Sequence, residues 1–339
     1  MVWSSSSIWA NFRHDDPFRY LKMQSLFAGI GLILIYKVKD IYYQRYGKYA
    51  NLILGACIIL LILVAIPGIG TIRNGARSWF GIGGFGIQPS EFAKIALVIF
   101  TAKYMALNQK YMEKFKKGML PVLLILALSF ILIMLQPDFG TAFILVMAIL
   151  GMLFVGGGNM KFFKILFIIG LIGFAALVIV APYRIDRITA FINPWQDPLG
   201  GGFQIIQSMY AISPGGLLGQ GIGGSIQKHF YLPEPQTDFI FSIITEELGI
   251  LGASIICLLY LTIIYRGFKI AVTTNDPFAK FLAFGITFSI AFQTLLNLFV
   301  VVGLIPVTGV TLPFISYGGS SLLMNMFSVG ILLNISKNN

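Results

Sequence analysis

Long apolar runs, separated by short polar connections, dominate the chain from residue 22 to its end. Runs of roughly twenty apolar residues have the length that an α-helix needs to cross a bilayer. About nine such runs are present, so the pattern predicts an all-α polytopic membrane protein with about nine transmembrane helices. The predicted spans are residues 22–38, 50–66, 91–107, 119–136, 139–157, 161–182, 238–265, 280–305 and 309–335.

One connection, residues 183–237, is much longer than the others, and loops of that length are usually functional or disordered. Apolar residues from Phe203 to Ile212 recur at helical spacing, which predicts a short helix lying in the headgroup region. The glycine-rich run from Gly215 to Gly224 resembles a nucleotide-binding motif only weakly, because no strand precedes it. It indicates a backbone that turns tightly or approaches another segment closely. We expect a single transmembrane domain, residues 1–339, that contains this loop.

Composition and charge support a membrane protein. The chain is 57% hydrophobic and 11% charged, with a mean hydropathy of +0.85, which excludes a soluble domain. Cys57 and Cys257 lie in apolar runs, so neither a disulfide framework nor a cysteine metal site is expected. The net charge of +11 is concentrated in the connections on one side, which assigns that side to the cytoplasm. The charge therefore indicates topology rather than nucleic-acid binding, and it places residues 183–237 outside and the C-terminus inside.

Ionisable residues at the edges of membrane spans are costly and are therefore functional candidates. Three helix starts on the outer side share one design, namely Gln88-Pro-Ser-Glu91, Gln136-Pro-Asp138 and Gln236-Thr-Asp238. Because Pro233 and Pro235 disfavour helix before them, the third helix should begin near Thr237 and Asp238. Asp238 could serve only as the helix cap. We favour proton chemistry for it, because it follows a large external loop.

Positive charge near these helix starts predicts an anion site. Arg73, Arg77, Lys94 and Lys228, together with helix N-termini, would suit a lipid phosphate or diphosphate. Glu91 and Lys94 are three residues apart on one helix face and should pair, either as a structural tie or as part of the site.

Polar residues further inside the spans are expected to have structural roles. Glu246 and Glu247 lie about two helical turns beyond Asp238 and point away from it, so we expect them to pair within the bundle. Gln293 and Asn297, four residues apart, should hydrogen-bond across the helix bundle.

Seven ordered motifs give the chain a family resemblance. They are Asn74-Gly-Ala-Arg77-Ser-Trp79, Gln88-Pro-Ser-Glu91-Phe-Ala-Lys94, Gln136-Pro-Asp138-Phe-Gly-Thr141, Asn193-Pro-Trp-Gln-Asp-Pro198, Tyr231-Leu-Pro-Glu-Pro-Gln-Thr-Asp238, Glu246-Glu-Leu-Gly249 and Pro306-Val-Thr-Gly-Val-Thr-Leu-Pro-Phe-Ile-Ser-Tyr-Gly-Gly-Ser-Ser321. The chain resembles the SEDS family of FtsW, SpoVE and RodA over nearly its whole length, and the motif ending at Asp238 is more similar to FtsW and SpoVE. Members of that family normally have ten spans, so we expect the first helix to be missing before Ser4.

The resemblance implies a peptidoglycan glycosyltransferase of the bacterial cytoplasmic membrane, serving cell division or sporulation at the septum. Such proteins polymerise lipid II, the undecaprenyl-diphosphate-linked disaccharide pentapeptide, together with a class B penicillin-binding protein and other divisome or sporulation proteins. The family's essential aspartate corresponds to Asp238. The remaining candidates for substrate binding are Arg73, Arg77, Glu91, Lys94, Asp138, Lys228, Glu234 and Ser320.

Glycosyl transfer from a lipid diphosphate needs one carboxylate base and a cationic pocket, because the leaving group is already a stable anion. No cofactor is required by this scheme. A divalent cation such as Mg²⁺ could bridge diphosphate and carboxylates, but the sequence shows no dedicated ligand set. Two alternatives stay open: a lipid II flippase or other transporter, and a non-catalytic scaffold for a penicillin-binding protein. Polymer formed by purified protein in detergent would separate the enzyme from both.

Overall fold

The structure is a computed structural model that describes residues 1–73, 75–82, 85–180 and 182–338. Within these residues the chain forms helices joined by connections of different lengths, with one small sheet. The helices are α1 (Val2–His14), α2 (Arg19–Val38), α3 (Gln44–Ala65), α4 (Pro89–Leu107), α5 (Leu120–Met134), α6 (Phe139–Val155), α7 (Met160–Val180), α8 (Pro182–Ile192), α9 (Phe203–Ile212), α10 (Ile240–Thr273), α11 (Pro277–Val301) and α12 (Gly319–Lys337). The strands are β1 (Thr71–Arg73), β2 (Ala76–Ile82) and β3 (Phe85–Ile87).

Each of the nine predicted spans corresponds to a helix, and the all-α polytopic class is confirmed. In the part of the chain that the structure describes, 6 helices are long and apolar enough to cross a membrane. They are Arg19–Val38, Gln44–Ala65, Phe115–Met134 (which includes the π-turn before α5), Ile240–Thr273, Pro277–Val301 and Gly319–Lys337. The other three predicted spans correspond to α4, α6 and α7. The protein is therefore a multi-pass membrane protein.

The final span was predicted to begin too early. The predicted span covers residues 309–335, but α12 begins only at Gly319, and residues 302–318 contain turns and irregular backbone. Pro306 and Pro313 cannot donate a backbone hydrogen bond, and Gly309 has a left-handed φ of 74°. These residues prevent a helix in an otherwise apolar stretch.

The small sheet was not predicted from the sequence. Strand β2 pairs antiparallel with β1, with Thr71 opposite Trp79, and with β3, with Phe80 opposite Ile87. An Asn-Gly dipeptide at residues 74–75, flanked by alternating apolar and polar residues, is the usual signal of a hairpin. Asn74 itself lies outside the described residues, and Gly75 has a φ of 80°.

Two helices lie within the long connection. The helix predicted from the apolar residues between Phe203 and Ile212 is confirmed as α9, whereas α8 was not predicted. Helix α9 is tied to α10 by a buried hydrogen bond between the hydroxyls of Ser208 and Ser242, 2.7 Å apart. Ser208 also donates to the carbonyl of Val301 at 2.7 Å. This part of the connection is therefore packed structure.

The chain divides into two compact units, each formed by three stretches. The first unit comprises Met1–Leu26, Lys164–Thr262 and Gln293–Gly318, and its core includes Leu232, Phe239 and Ile243. The second comprises Phe27–Phe163, Ile263–Phe292 and Gly319–Asn339, and its core includes Leu61, Leu97, Ile149 and Met152. The single domain expected from the sequence stays a prediction.

Candidate functional site

Asp238 lies two residues before the first residue of α10, close to the predicted helix start. Its side chain is half-buried. The backbone carbonyl of Asp238 accepts a hydrogen bond of 2.7 Å from the side-chain amide of Asn297 on α11. The same amide donates to the carbonyl of Val310 at 2.7 Å. Asn297 is completely buried and joins the Asp238 segment to the irregular stretch before α12.

That irregular stretch contacts the Asp238 segment directly. The hydroxyl of Ser316 donates to the carbonyl of Thr237 at 2.6 Å, and the N–H of Tyr317 donates to the carbonyl of Gln236 at 2.8 Å. A Cβ atom placed on Gly309 would lie 3.9 Å from Oδ2 of Asp238, so the carboxylate faces this glycine. The backbone on which Asp238 depends is therefore held by hydrogen bonds from a second segment of the same unit.

Gln293 and Asn297 make the hydrogen bonds that were expected of them. The side-chain amide of Gln293 donates to the carbonyl of Thr311 at 3.0 Å, next to the Val310 carbonyl bound by Asn297. The carbonyls of Thr311 and Val310 belong to the irregular stretch, and that of Asp238 precedes α10, so these bonds run to non-helical backbone and not to a neighbouring helix. This role does not follow from the apolar pattern, which predicts a span that includes residues 309–318. The proline and glycine content of Pro306 to Gly319 was the available signal.

Lys228 is buried in an ion pair. Only 4% of the residue is exposed, and its Nζ lies 2.9 Å from Oε1 of Glu247. The hydroxyl of Ser4 donates to the Glu247 carboxylate at 2.6 Å, and Nζ of Lys228 lies 3.4 Å from that hydroxyl. Pairing within the bundle was expected for Glu247, and it is confirmed. The substrate contact expected of Lys228 stays a prediction.

Glu234 is the remaining candidate of the first unit. It lies in the turn before Asp238 with a left-handed φ of 45°, an unusual value for a residue with a side chain. Its carbonyl accepts hydrogen bonds from the N–H and from the hydroxyl of Thr237, at 3.1 and 2.9 Å. Glu234 thus shapes the turn that leads to Asp238.

Four candidates of the second unit lie at helix starts that are linked by hydrogen bonds. Glu91 and Lys94 form the predicted pair on α4, with 3.0 Å between Oε2 and Nζ. Their side chains are only 7% and 10% exposed, respectively. A buried pair of this kind needs both partners, because removing one leaves an uncompensated charge.

Asp138 is the N-cap of α6, and its Oδ1 accepts from the N–H of Thr141 at 3.0 Å. Its Oδ2 accepts from the side-chain amide of Gln88 at 2.9 Å and lies 3.4 Å from the hydroxyl of Ser90. Asp138 therefore connects the start of α6 to the start of α4. The capping role and a role in substrate binding are compatible, because a carboxylate can accept several hydrogen bonds.

Ser320 joins the same region from the first turn of α12. Its hydroxyl accepts from the N–H of Gln88 and donates to the carbonyl of Gly86, both at 3.1 Å. Ser320, Gln88 and Asp138 thus form a continuous hydrogen-bonded chain across α12, the end of β3, α4 and α6. The three motifs that contain these residues converge within the second unit.

Arg73 and Arg77 belong to the small sheet. Arg73 is the last residue of β1, and its side chain lies outside the described part of the structure. Arg77 is half-buried in β2 opposite Ile72. Among the residues that the structure describes, no group of three or more His, Cys, Asp or Glu side chains could hold a metal ion.

Comparisons with known proteins give the chain a family. The family model described as cell cycle protein, covering FtsW, RodA and SpoVE, matches residues 1–339. Stage V sporulation protein E of Bacillus subtilis (strain 168) is 51% identical over 337 residues, covering 99% of this chain and 92% of that protein. The probable peptidoglycan glycosyltransferase FtsW of Geobacter metallireducens is 42% identical over 336 residues, covering 99% and 90%.

Solved structures agree with the sequence comparison. A chain from the structure "Structural coordination of polymerization and crosslinking by a peptidoglycan synthase complex" superposes with a TM-score of 0.78 at 33% identity, covering 99% of this chain and 95% of that chain. The rod shape determining protein RodA of Thermus thermophilus superposes with a TM-score of 0.69 at 27% identity, covering 99% and 93%. The chain therefore belongs to the FtsW, RodA and SpoVE family.

Proposed function

We propose that this protein is a peptidoglycan glycosyltransferase that polymerises lipid II into glycan strands, with Asp238 as the general base. The names of the relatives and the peptidoglycan synthase structure support the activity. The observation on which the residue assignment rests is the anchored backbone of residues 236–238, bound by Asn297, Ser316 and Tyr317. A general base must be held in a fixed position relative to the proton that it removes.

The reaction forms one bond and breaks one bond at the donor sugar. A hydroxyl oxygen of the acceptor glycan attacks the anomeric carbon of the donor, and the bond from that carbon to the diphosphate oxygen breaks. Asp238 takes the hydroxyl proton, which should accelerate the reaction by roughly 10²–10⁴-fold. The lipid diphosphate leaves as an anion and needs no proton donor.

The departing diphosphate gains from positive charge and hydrogen-bond donors. For this role we propose Arg73, Arg77 and Lys94. Glu91, Asp138 and Ser320 are proposed to bind or orient the polar part of the substrate. Glu234 is proposed to do the same in the turn before Asp238. No step of this scheme requires a bound metal ion.

We further propose a class B penicillin-binding protein as the partner, in agreement with the peptidoglycan synthase complex to which the chain is similar. The asymmetric distribution of basic residues supports a cytoplasmic C-terminus and an external 183–237 connection. Location at a division or spore septum is inferred from the names of the relatives.

Polymerisation by the purified protein tests the assignment. The full chain, in detergent and with its penicillin-binding partner, is supplied with lipid II, and glycan strands are separated by length. Asp238→Asn should abolish polymer while leaving thermal unfolding unchanged. Asp16→Asn, which makes the same change at an exposed ion pair of the same unit, should keep full activity. Full polymerisation by Asp238→Asn would remove Asp238 as the base.

The same assay separates the transporter and scaffold alternatives. Neither would yield polymer from the chain in detergent when a transpeptidase-inactive partner is used, whereas the proposed enzyme does. The names of the relatives do not favour either alternative.

A further inference from the structure

Helix α10 is broken, and a neighbouring segment fills the break. Gly249 has a φ of 65° and a ψ of −168°, which no helix accommodates. The N–H groups of Ile250 and Leu251 donate to the carbonyls of Gly216 and Leu217, at 2.9 and 3.1 Å. In an unbroken helix they would bond to the carbonyls of Glu246 and Glu247.

Those two carbonyls are satisfied by the same neighbouring segment. The Glu246 carbonyl accepts from the N–H of Gln220 at 2.9 Å, and the Glu247 carbonyl accepts from the N–H of Gly221 at 3.0 Å. We call residues 215–228 the glycine-rich segment. Its four backbone hydrogen bonds replace those that the break in α10 removes, as irregular backbone in a membrane protein requires.

Glycine is required for this contact. A Cβ atom on Gly219, whose φ is 78°, would lie 2.2 Å from the carbonyl oxygen of Glu247. A Cβ atom on Gly249 would lie 2.4 Å from the nitrogen of Gly219. Both distances are shorter than any side chain permits. The close approach that the sequence predicted for the glycine-rich run is therefore made against α10.

Two buried carboxylates fasten the far end of the glycine-rich segment. Glu246 is fully buried and accepts from the hydroxyl of Ser225 at 2.6 Å and from the N–H of Ile226 at 2.8 Å. Glu247, also fully buried, pairs with Lys228 at 2.9 Å. Glu246 and Glu247 thus hold residues 225–228 by one hydroxyl, two backbone N–H groups and one ammonium group.

These anchors fix one end of the loop that contains Asp238. Residues 229–237 run from Lys228 to Asp238, and α10 begins two residues later at Ile240. Both ends of this loop are therefore attached to the same helix, about 9 Å apart along its axis from Ile240 to Glu246. A short loop with two fixed ends has far fewer conformations than one with a free end.

From this arrangement, and resting on the proposed role of Asp238, we infer that Lys228, Glu246 and Glu247 are positioning residues. They lock the glycine-rich segment into the break of α10 and thereby hold the loop that places Asp238. This assignment differs from substrate binding by Lys228, and it agrees with the burial of Nζ against a carboxylate and a serine hydroxyl.

Hydrogen exchange and kinetics on the full chain test the inference. The variants are Lys228→Met, Glu247→Gln and the double variant with both changes. The control is Lys337→Met, which removes an ion pair whose side chains are 65% and 51% exposed. Exchange is followed at the amides of residues 220–221, 229–237 and 250–251, and kcat and KM are measured with lipid II.

Each single variant should speed exchange at all three stretches and lower kcat by up to about 100-fold, the usual cost of a misplaced group, with a smaller change in KM. The double variant buries no uncompensated charge, so it should recover part of the slow exchange and part of kcat, but not all, because the ion pair that holds the segment is missing. The control should match the wild type in every measurement.

Two outcomes would overturn the inference. Wild-type exchange in Lys228→Met would show that the pair does not hold the segment. Recovery of slow exchange but not of kcat in the double variant would show that Lys228 acts on the substrate itself. A failure of the proposed function would be seen differently, as full activity of Asp238→Asn with the exchange results unchanged.

Discussion

The side-chain amide of Asn297 donates a 2.7 Å hydrogen bond to the backbone carbonyl of Asp238. Its second hydrogen bond, to the carbonyl of Val310, ties the same point to the irregular stretch before α12. One buried side chain therefore satisfies two carbonyls from different segments. The backbone of the proposed base is therefore held in place by a side chain from α11.

Replacing Asn297 with Ala should destabilise the protein and reduce polymerisation. The carbonyls of Asp238 and Val310 would lose their donor, which costs about 1–3 kcal/mol for each buried group left unsatisfied. Thermal unfolding and kcat with lipid II measure the two effects. Asn325→Ala is the matched control, because the side-chain amide of Asn325 donates to Ser321 of its own helix, α12. Equal losses of stability and of kcat in both variants would contradict a specific role for Asn297.

Replacing Lys94 with Met should leave the buried carboxylate of Glu91 without its partner. Breaking a buried pair from one side typically costs about 3–5 kcal/mol. Adding Glu91→Gln to the same chain should recover most of this stability, measured by thermal unfolding. If Lys94 stabilises the diphosphate, the double variant should stay inactive despite its recovered stability. If the double variant were fully active, the Glu91–Lys94 pair would have a structural role and Lys94 would not stabilise the diphosphate.

Two substitutions of Asp138 separate its role as the N-cap of α6 from the role of its negative charge. Asp138→Asn keeps an N-cap oxygen of similar strength, whereas Asp138→Ala removes it and should cost roughly 0.5–2 kcal/mol. We expect the Asn variant to unfold near the wild-type temperature, because the amide of Gln88 can turn over so that its oxygen accepts from the new N–H₂ group. Its rate of polymerisation then reports whether the negative charge itself is needed. A stability loss as large as that of the Ala variant would contradict the capping geometry.

Replacing Gly249 with Ala should disrupt the contact between α10 and the glycine-rich segment. The new Cβ would lie 2.4 Å from the nitrogen of Gly219, and the residue would have to keep a φ of 65°. We expect faster exchange at Ile250 and Leu251 and a lower unfolding temperature. In Gly55→Ala the new Cβ meets nothing within 4 Å, and the helix should gain roughly 0.5–1 kcal/mol. Wild-type exchange in Gly249→Ala would contradict the proposed fit.

The ion pair between Lys337 and Asp40 predicts how the stability of the protein depends on pH. The hydrogen bond from Lys337 holds the pKa of Asp40 below its usual range. A carboxyl whose pKa is lowered by folding stabilises the protein above its unfolded pKa, and this contribution is lost as the pH falls through the folded pKa. The small difference in unfolding temperature between wild type and Lys337→Met should therefore vanish in acid. If the difference in unfolding temperature between the two proteins grew in acid, the ion pair would not stabilise the protein in the way proposed.

The apolar runs predicted the helices because length and hydropathy alone determine a span. They could not locate the end of the irregular stretch, because residues 309–318 are as apolar as a helix and contain just three residues that disfavour one, Gly309, Pro313 and Gly318. The sheet between α3 and α4 was missed because its strands are short and its hairpin signal is a single dipeptide at residues 74–75.

The sequence motifs predict the positions of the candidate residues more reliably than they predict the residues that these contact. The motifs placed Glu91, Asp138 and Asp238 at helix starts, and the Glu91–Lys94 pair follows from spacing on one helix face. The contact of Lys228 with Glu247 could not be predicted, because it depends on how the glycine-rich segment packs beside α10. Long-range pairing of this kind is absent from a local pattern of residues.

A bent helix with a glycine at the bend usually works as a hinge. In α10 the bend is closed by four backbone hydrogen bonds from residues 216–221, so the helix and its neighbouring segment must move as one body or not at all. A conformational change that admits a new sugar must then take place in residues 229–237. An inhibitor should therefore be more effective if it binds residues 229–237 and restricts their motion than if it binds at the bend of α10.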